Sequence, residues 1–231
     1  MTTDTSILLL TLRVSLVAAA LVVPTGLAVA WVLERKRVPG RLFIEVLISL
    51  PLALTPVVIG YALLVGLGRN SFIGRLTHNA LGFDIAFTWI AAAIASAAVA
   101  FPLSVRAFMV AFAGVDRRVE LAARSLGAGP WRTFFTITVP LAYPGILAGV
   151  LLGFARCLSE FGATVVVAGN IPGQTQTLPL AIFTRISAGE DSRAVPLIAV
   201  TVLLAVASLL VHNWLIQKAS RERARNNRSD D

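Results

Sequence analysis

The sequence predicts an all-α, polytopic membrane protein with about five transmembrane helices. Three observations carry that prediction. The 231 residues are 57% hydrophobic and only 14% charged, with a mean hydropathy of +0.81, whereas a soluble domain is about a quarter charged. Five apolar windows are each long enough for the ~20 residues that cross a bilayer core. The basic residues fall in the gaps between those windows and in the C-terminal tail, as membrane topology requires. They form no stripe or basic domain, so the net charge of +8 does not indicate nucleic-acid binding.

The first window, Ile7–Leu33, follows MTTDTS, which has no basic n-region and no cleavage signature, so it reads as a retained span. Arg35, Lys36, Arg37 and Arg41 separate it from the second, Phe43–Leu67. The next gap carries Arg69 and Arg75, offset in part by Asp84, before the third window, Ala86–Ala113. Arg117, Arg118, Arg124 and Arg132 precede the fourth, Phe134–Cys157, whose start is interrupted by Pro140 and Pro144. FGATVVVAG (Phe161–Gly169) and LPLAIFTRIS (Leu178–Ser187) are too short to cross. They read as shallow or re-entrant segments near the outer face, tolerated where protein or a water-filled path covers them. The final window, Val195–Ile216, follows Arg185, Glu190, Asp191 and Arg193 and leads to a basic tail, residues 218–231. The excess of arginine alternates along the chain, which predicts an external N-terminus and a cytoplasmic C-terminus.

Several chemistries lack their residues. A phosphate-cradling loop needs Gly-Lys followed by Ser or Thr, but Lys36 follows arginine and Lys218 follows glutamine. Any ATP is therefore expected on another chain. His78 and His212 stand near no serine or cysteine in a nucleophile context, so an intramembrane hydrolase resting on His212 has little support. Metal-ligand spacing is missing and Cys157 is the single cysteine. No catalytic residue, metal site or cofactor is assigned to this chain. A self-sufficient ion-coupled carrier would need ionisable residues deep in its spans. Arg13, Glu34, Glu45 and Arg106 lie near span ends, where snorkelling explains them, and only Arg156 and Glu160, sharing a helix face, remain as candidates.

The gap Val119–Gly145, VELAARSLGAGPWRTFFTITVPLAYPG, is unlike the rest. Asp116 can cap a helix start. Val115, Val119, Ala122, Ala123 and Leu126 make a thin apolar stripe, and Glu120 precedes Arg124 by four, the favourable order for an exposed helical pair. Gly127 suits the left-handed position that ends a helix, and Pro130 suits the first turn of a second one. Two readings fit: a helix lying on the inner leaflet, or one made to sit in a partner's groove. The small side chains of the stripe favour the partner.

These residues resemble the cytoplasmic "EAA" loop of permeases in binding-protein-dependent ABC importers: Glu120, Ala122, Ala123, Gly127 and then Pro140, with Leu121 interposed to give E-L-A-A. LPLALTPVVIGYALLVGLG, RSLGAGPWRTFFTITVPLAYPGILAG and GFARCLSEFGATVVVAGNIPGQTQTLP are similar to the molybdate and sulfate group of that family. The resemblance implies a type I ABC importer permease fold occupying the whole chain as one domain, with its core over residues 8–217. It implies a bacterial inner-membrane location and a homodimer of two permease copies. Two cytoplasmic ATPase subunits would bind the ATP, and a periplasmic protein would deliver molybdate or tungstate, with sulfate or thiosulfate as the alternative substrate. It further implies that Glu120, Ala122, Ala123, Leu126 and Gly127 contact the ATPase as a coupling helix and that Pro140 and Pro144 form a hinge. Arg156, Ser159, Glu160 and Gly162 are then candidates for the translocation path, with Glu160 read as a partner of Arg156 or of the opposite subunit.

Overall fold

A computed structural model describes the backbone of residues 2–36 and 38–227. Arg37 of the first basic gap and residues 228–231 of the tail lie outside the described residues. The described chain is helical throughout: α1 (Thr2–Arg35), α2 (Arg41–Ala53), α3 (Pro56–Leu67), α4 (Phe72–Leu81), α5 (Trp89–Ala113), α6 (Arg117–Ser125) and α7 (Pro130–Thr133), then a π-turn (Phe134–Thr138), α8 (Val139–Leu158), α9 (Gly162–Val167), α10 (Leu178–Ser187) and α11 (Asp191–Asn227). Asp4–Arg35, Trp89–Ala113, Pro130–Leu158 and Asp191–Trp214 are each long and apolar enough to cross a membrane.

The second window departs from a straight span. α2 and α3 meet at an angle of 109°, with Leu54 and Thr55 both extended between them (ψ 149° and 142°). Pro56 explains the break, since it donates no helical hydrogen bond and disfavours helical geometry in the residue before it. The pair makes a fifth crossing only as a bent unit. The fourth window also differs: Pro140 and Pro144 lie within continuous helix, and the irregularity falls just upstream in the π-turn. Pro140 cannot donate to the carbonyl four residues back, and the wider turn lets the Val139 N–H reach the Phe134 carbonyl instead. The basic tail is less separate than its composition suggests, because α11 runs on as helix through Asn227.

α5 is the central post, packed against α1, α2, α3, α8 and α9. Lipid gives apolar helices no reason to leave it for one another, so membrane helices associate through close packing and polar contacts. α5 meets that requirement with a buried run of Ala91, Ala92, Ala93, Ala95, Ser96 and Ala100. α8 answers with glycines. A Cβ on Gly149 would stand 2.8 Å from the Phe108 ring, and one on Gly153 would stand 2.2 Å from Ser104 Oγ.

The short helices are held by protein contacts. α9 lies on α3 and α5 with Ala163, Thr164 and Val167 buried. Thr11 of α1 accepts the Leu178 N–H at 2.8 Å and donates its own hydroxyl to the Ile7 carbonyl at 2.7 Å, satisfying the first turn of α10. Arg185 of α10 pairs with Asp4 of α1.

Gly60 gives this packing a direct test. A Cβ there would stand 2.6 Å from the Ala163 carbonyl oxygen and 2.8 Å from its Cα, whereas Gly66 in the same helix has nothing within 4 Å. Gly60→Ala should destabilise the chain by about 1–3 kcal/mol, the cost of overpacking. Gly66→Ala should be neutral or stabilising by up to ~1 kcal/mol. Thermal unfolding of the two variants in detergent checks the difference.

Candidate functional site

The loop after α5 folds as its residues suggest. The Asp116 carboxylate accepts the Arg118 N–H at 2.8 Å and starts α6. Gly127, at φ +87°, ends it with a paired closure: its N–H reaches the Arg124 carbonyl at 3.0 Å and the Ala128 N–H reaches the Ala123 carbonyl at 3.1 Å. That arrangement needs a left-handed residue just past the helix, which glycine adopts without strain. Pro130 then opens α7.

No residue of α6 is buried. Val119, Leu121 and Ala122 are exposed and Ala123 is half-buried, while Leu126 at the C-terminal end is 90% exposed. The helix thus leaves an apolar ridge exposed. Val115 departs from the expected stripe, being buried at the end of α5.

Glu120 also departs from expectation. It is not paired with Arg124 across an exposed face. Its carboxylate points inward, 3.1 Å from the Arg35 guanidinium, with side chains only 9% (Arg35) and 14% (Glu120) exposed. It also accepts the Thr138 hydroxyl at 2.7 Å. A surface pair four residues apart yields only ~0.3–0.5 kcal/mol, so a partly desolvated partner and a hydroxyl donor outcompete it. Arg35 Nη2 donates to the carbonyls of Phe112 (2.8 Å) and Val115 (3.1 Å), at and just past the C-terminal end of α5. Arg117 donates to the Glu34 carbonyl at 2.6 Å. Beside this network lies a cleft of about 410 Å³ lined in part by Trp31, Arg35, Lys36, Arg124 and Phe134. Trp31 stacks on Trp131, ring centroids 6.0 Å apart, and meets Phe134 edge-on at 5.1 Å.

Pro140 is exposed and Pro144 half-buried, both in the first turns of α8. At the far end of that helix, about 30 Å away at 1.5 Å per residue, the four path candidates come together. Arg156 and Glu160 pair at 2.8 Å, Glu160 being 2% and Arg156 30% exposed at the side chain. Glu160 also accepts the Ala163 N–H at 2.9 Å and so caps α9. Ser159 is exposed and donates to the Arg156 carbonyl at 3.2 Å. Gly162 packs against Pro56, to which an added Cβ would approach within 3.0 Å. Of the other isolated groups, Cys157 is buried with its Sγ 3.7 Å from the Ser96 carbonyl, and His78 Nδ1 lies 3.0 Å from Asp84 Oδ1. Arg13 stacks its guanidinium 3.8 Å over the Trp89 ring, and Arg106 donates to Ser49 at 2.8 Å.

Sequence reasoning missed Arg35 and Thr138. Arg35 was indistinguishable from the topology-setting arginines beside it, and Thr138 from the other threonines of TFFTIT. Only the folded proximity of α1, α6 and the π-turn selects them.

The fold is that of a multi-pass helical membrane protein with a short exposed helix between its long spans. The chain belongs to the binding-protein-dependent transport system inner membrane component family, whose model matches residues 22–221. It is 48% identical over 217 residues to the molybdenum transport system permease ModB of Escherichia coli K12, covering 94% of each chain. The Haemophilus influenzae ModB is 46% identical over 208 residues, covering 90% of this chain and 91% of that one. The sulfate transport system permease CysW of Synechocystis is 36% identical over 220 residues, covering 95% and 79%. Among solved structures, a bacterial alginate ABC transporter superposes with a TM-score of 0.70 at 15% identity over 96% of this chain and 80% of that one. The MetNI methionine ABC transporter superposes with a TM-score of 0.63 at 14% identity over 93% and 94%.

The Arg156–Glu160 pair is open to a stability test. Glu160→Ala should cost about 2–3 kcal/mol, below the 3–5 of a fully buried broken pair because Arg156 reaches solvent. Glu160→Gln, which keeps an acceptor for Ala163, should cost less. Melting temperatures of the purified variants check the order.

Proposed function

We propose that the chain is the membrane-spanning permease subunit of an ATP-driven importer for molybdate, with tungstate as a near-identical cargo. The observation that carries this reading is the 48% identity to a molybdenum permease across nearly the whole of both chains. The sulfate alternative rests on relatives at lower identity. In this reading all 231 residues form one permease domain, with a basic tail from residue 218. The N-terminus lies outside a bacterial inner membrane and the C-terminus in the cytoplasm, following the arginine distribution. A second copy completes the path, a periplasmic protein delivers the oxyanion, and two cytoplasmic ATPase subunits supply the energy. The chain contributes no catalytic group.

α6 is the coupling helix. Its ridge of Ala122, Ala123 and Leu126, ended by Gly127, seats in a groove of the ATPase, and the exposure of that ridge supports the assignment. Moving a two-state permease from 1:99 to 99:1 takes ~5.5 kcal/mol of differential binding, which a packed helix can transmit and a single surface ion pair cannot. The π-turn and the adjoining Pro140 and Pro144 form the compliant joint between this helix and α8. Arg156 and Glu160 serve structure at the other end, bracing α9 beside the path.

Gly127→Val would force a β-branched residue into φ > 0, disfavoured by roughly 1–2 kcal/mol, and misdirect the end of the ridge. Oxyanion uptake by the reconstituted complex should fall at least about tenfold, while far-ultraviolet circular dichroism of the spans stays unchanged. Separately, Ala122→Cys, with Cys157 buried, should cross-link to a nucleotide-binding polypeptide. Uptake by the permease alone, driven by an ion gradient and independent of any ATPase, would overturn the reading.

A further inference from the structure

We propose that Arg35, Glu120 and Thr138 are positioning residues that carry motion from α6 into the π-turn, and that Glu120 works inside the permease and not as an ATPase contact. This rests on the transport reading above. Helical geometry separates the two faces of α6. At 100° per residue, Ala122 lies about 200° and Leu126 about 240° around the axis from Glu120. Ala122 and Leu126 therefore point nearly opposite to the carboxylate, while Ala123, about 300° around, lies on the Glu120 side. The exposures agree, with Leu126 90% exposed, Ala123 half-buried and the Glu120 side chain 14% exposed.

What Glu120 touches is the root of the following span. Its Oε1 accepts from Thr138, the last residue of the π-turn, whose side chain is itself buried. The same carboxylate lies against Arg35, whose Nη2 is held by the carbonyls of Phe112 and Val115 at the end of α5. One carboxylate thus joins α1, α5, α6 and the entrance to α8. The π-turn holds one residue more per turn than α-helix and is marginal in isolation. Removing that residue's excess would rotate α8 by ~100° and advance it by ~1.5 Å. A displacement of α6 reaches this joint through Glu120–Thr138, while Arg35 keeps the fixed ends of α1 and α5 in register.

The test uses the whole complex, permease with its ATPase and binding protein in proteoliposomes, and reads molybdate imported per ATP hydrolysed alongside ATPase co-purification. Thr138→Val, which keeps shape and removes the donor, should lower import per ATP roughly tenfold, within the ~5–150-fold span of ordinary coupling energies. The ATPase should still co-purify. Thr138→Ser should restore the ratio, which a purely volumetric defect would not permit. Glu120→Gln should lower the ratio by itself, and the Glu120→Gln/Thr138→Val double variant should be no worse than the more severe single one, because both break one link. A wild-type ratio in Thr138→Val, multiplicative losses in the double variant, or loss of the ATPase from Glu120→Gln would each overturn the proposal. A wild-type chain that captures no ATPase sinks the transport reading underneath it, a different failure. Should Thr138→Val not assemble, Glu120→Gln alone decides between internal link and docking contact.

Discussion

The architecture depends on one helix presenting small side chains over the first half of the faces it shares. α5 presents alanines and serines to α1, α8 and α9, and its neighbours come close enough for dispersion contacts that longer side chains would prevent. In water a face so poor in bulk would bury too little area to hold a fold together. In lipid, where burial supplies no drive, shape fit is what remains. The larger residues sit towards the α6 end of the same helix, where Phe108 and Phe112 are fully buried. The fit is thus tight through the membrane and anchored by aromatic bulk next to the exposed loop.

The loop is joined to the spans by polar and aromatic contacts. α6 is capped at both ends, tied to α1 through Arg35–Glu120 and Arg117–Glu34, and followed at once by stacked aromatic rings at Trp31, Trp131, Phe134 and Phe135. A flexible loop would absorb a push from outside. Here the segment between the exposed ridge and α8 runs through residues 127–129, α7 and the wide turn at Phe134–Thr138.

Hydropathy and charge made most of this legible in the sequence. Four of the five windows, the cap at Asp116, the stop at Gly127 and the restart at Pro130 follow from local chemistry and hold in the structure. The bend between α2 and α3 was written in Thr55–Pro56, but a window average hides a single extended dipeptide inside an apolar run. The prolines of α8 were visible as helix disturbers, yet sequence could not say that the disturbance would move upstream and appear as an extra residue in a turn. Glu120 was recognised as notable and assigned the wrong neighbour, because Arg124 is near in sequence and Arg35 is near only in space. Long-range polar partners are set by tertiary packing, which periodicity does not encode. The relation of Arg156 to Glu160 was readable because the two are only four residues apart, although Glu160 lies just past the end of α8.

The stacked indoles at the base of α6 have an optical consequence. The chain carries four tryptophans; Trp31 belongs to the fixed end of α1 and Trp131 to the segment that follows the exposed helix, with their rings inclined by only 25°. Two near-parallel chromophores at that separation share their electronic excitation, and the shared signal collapses when either ring tilts or slides. The pair is therefore an intrinsic ultraviolet gauge of how α1 sits against the segment after α6, readable without any added dye.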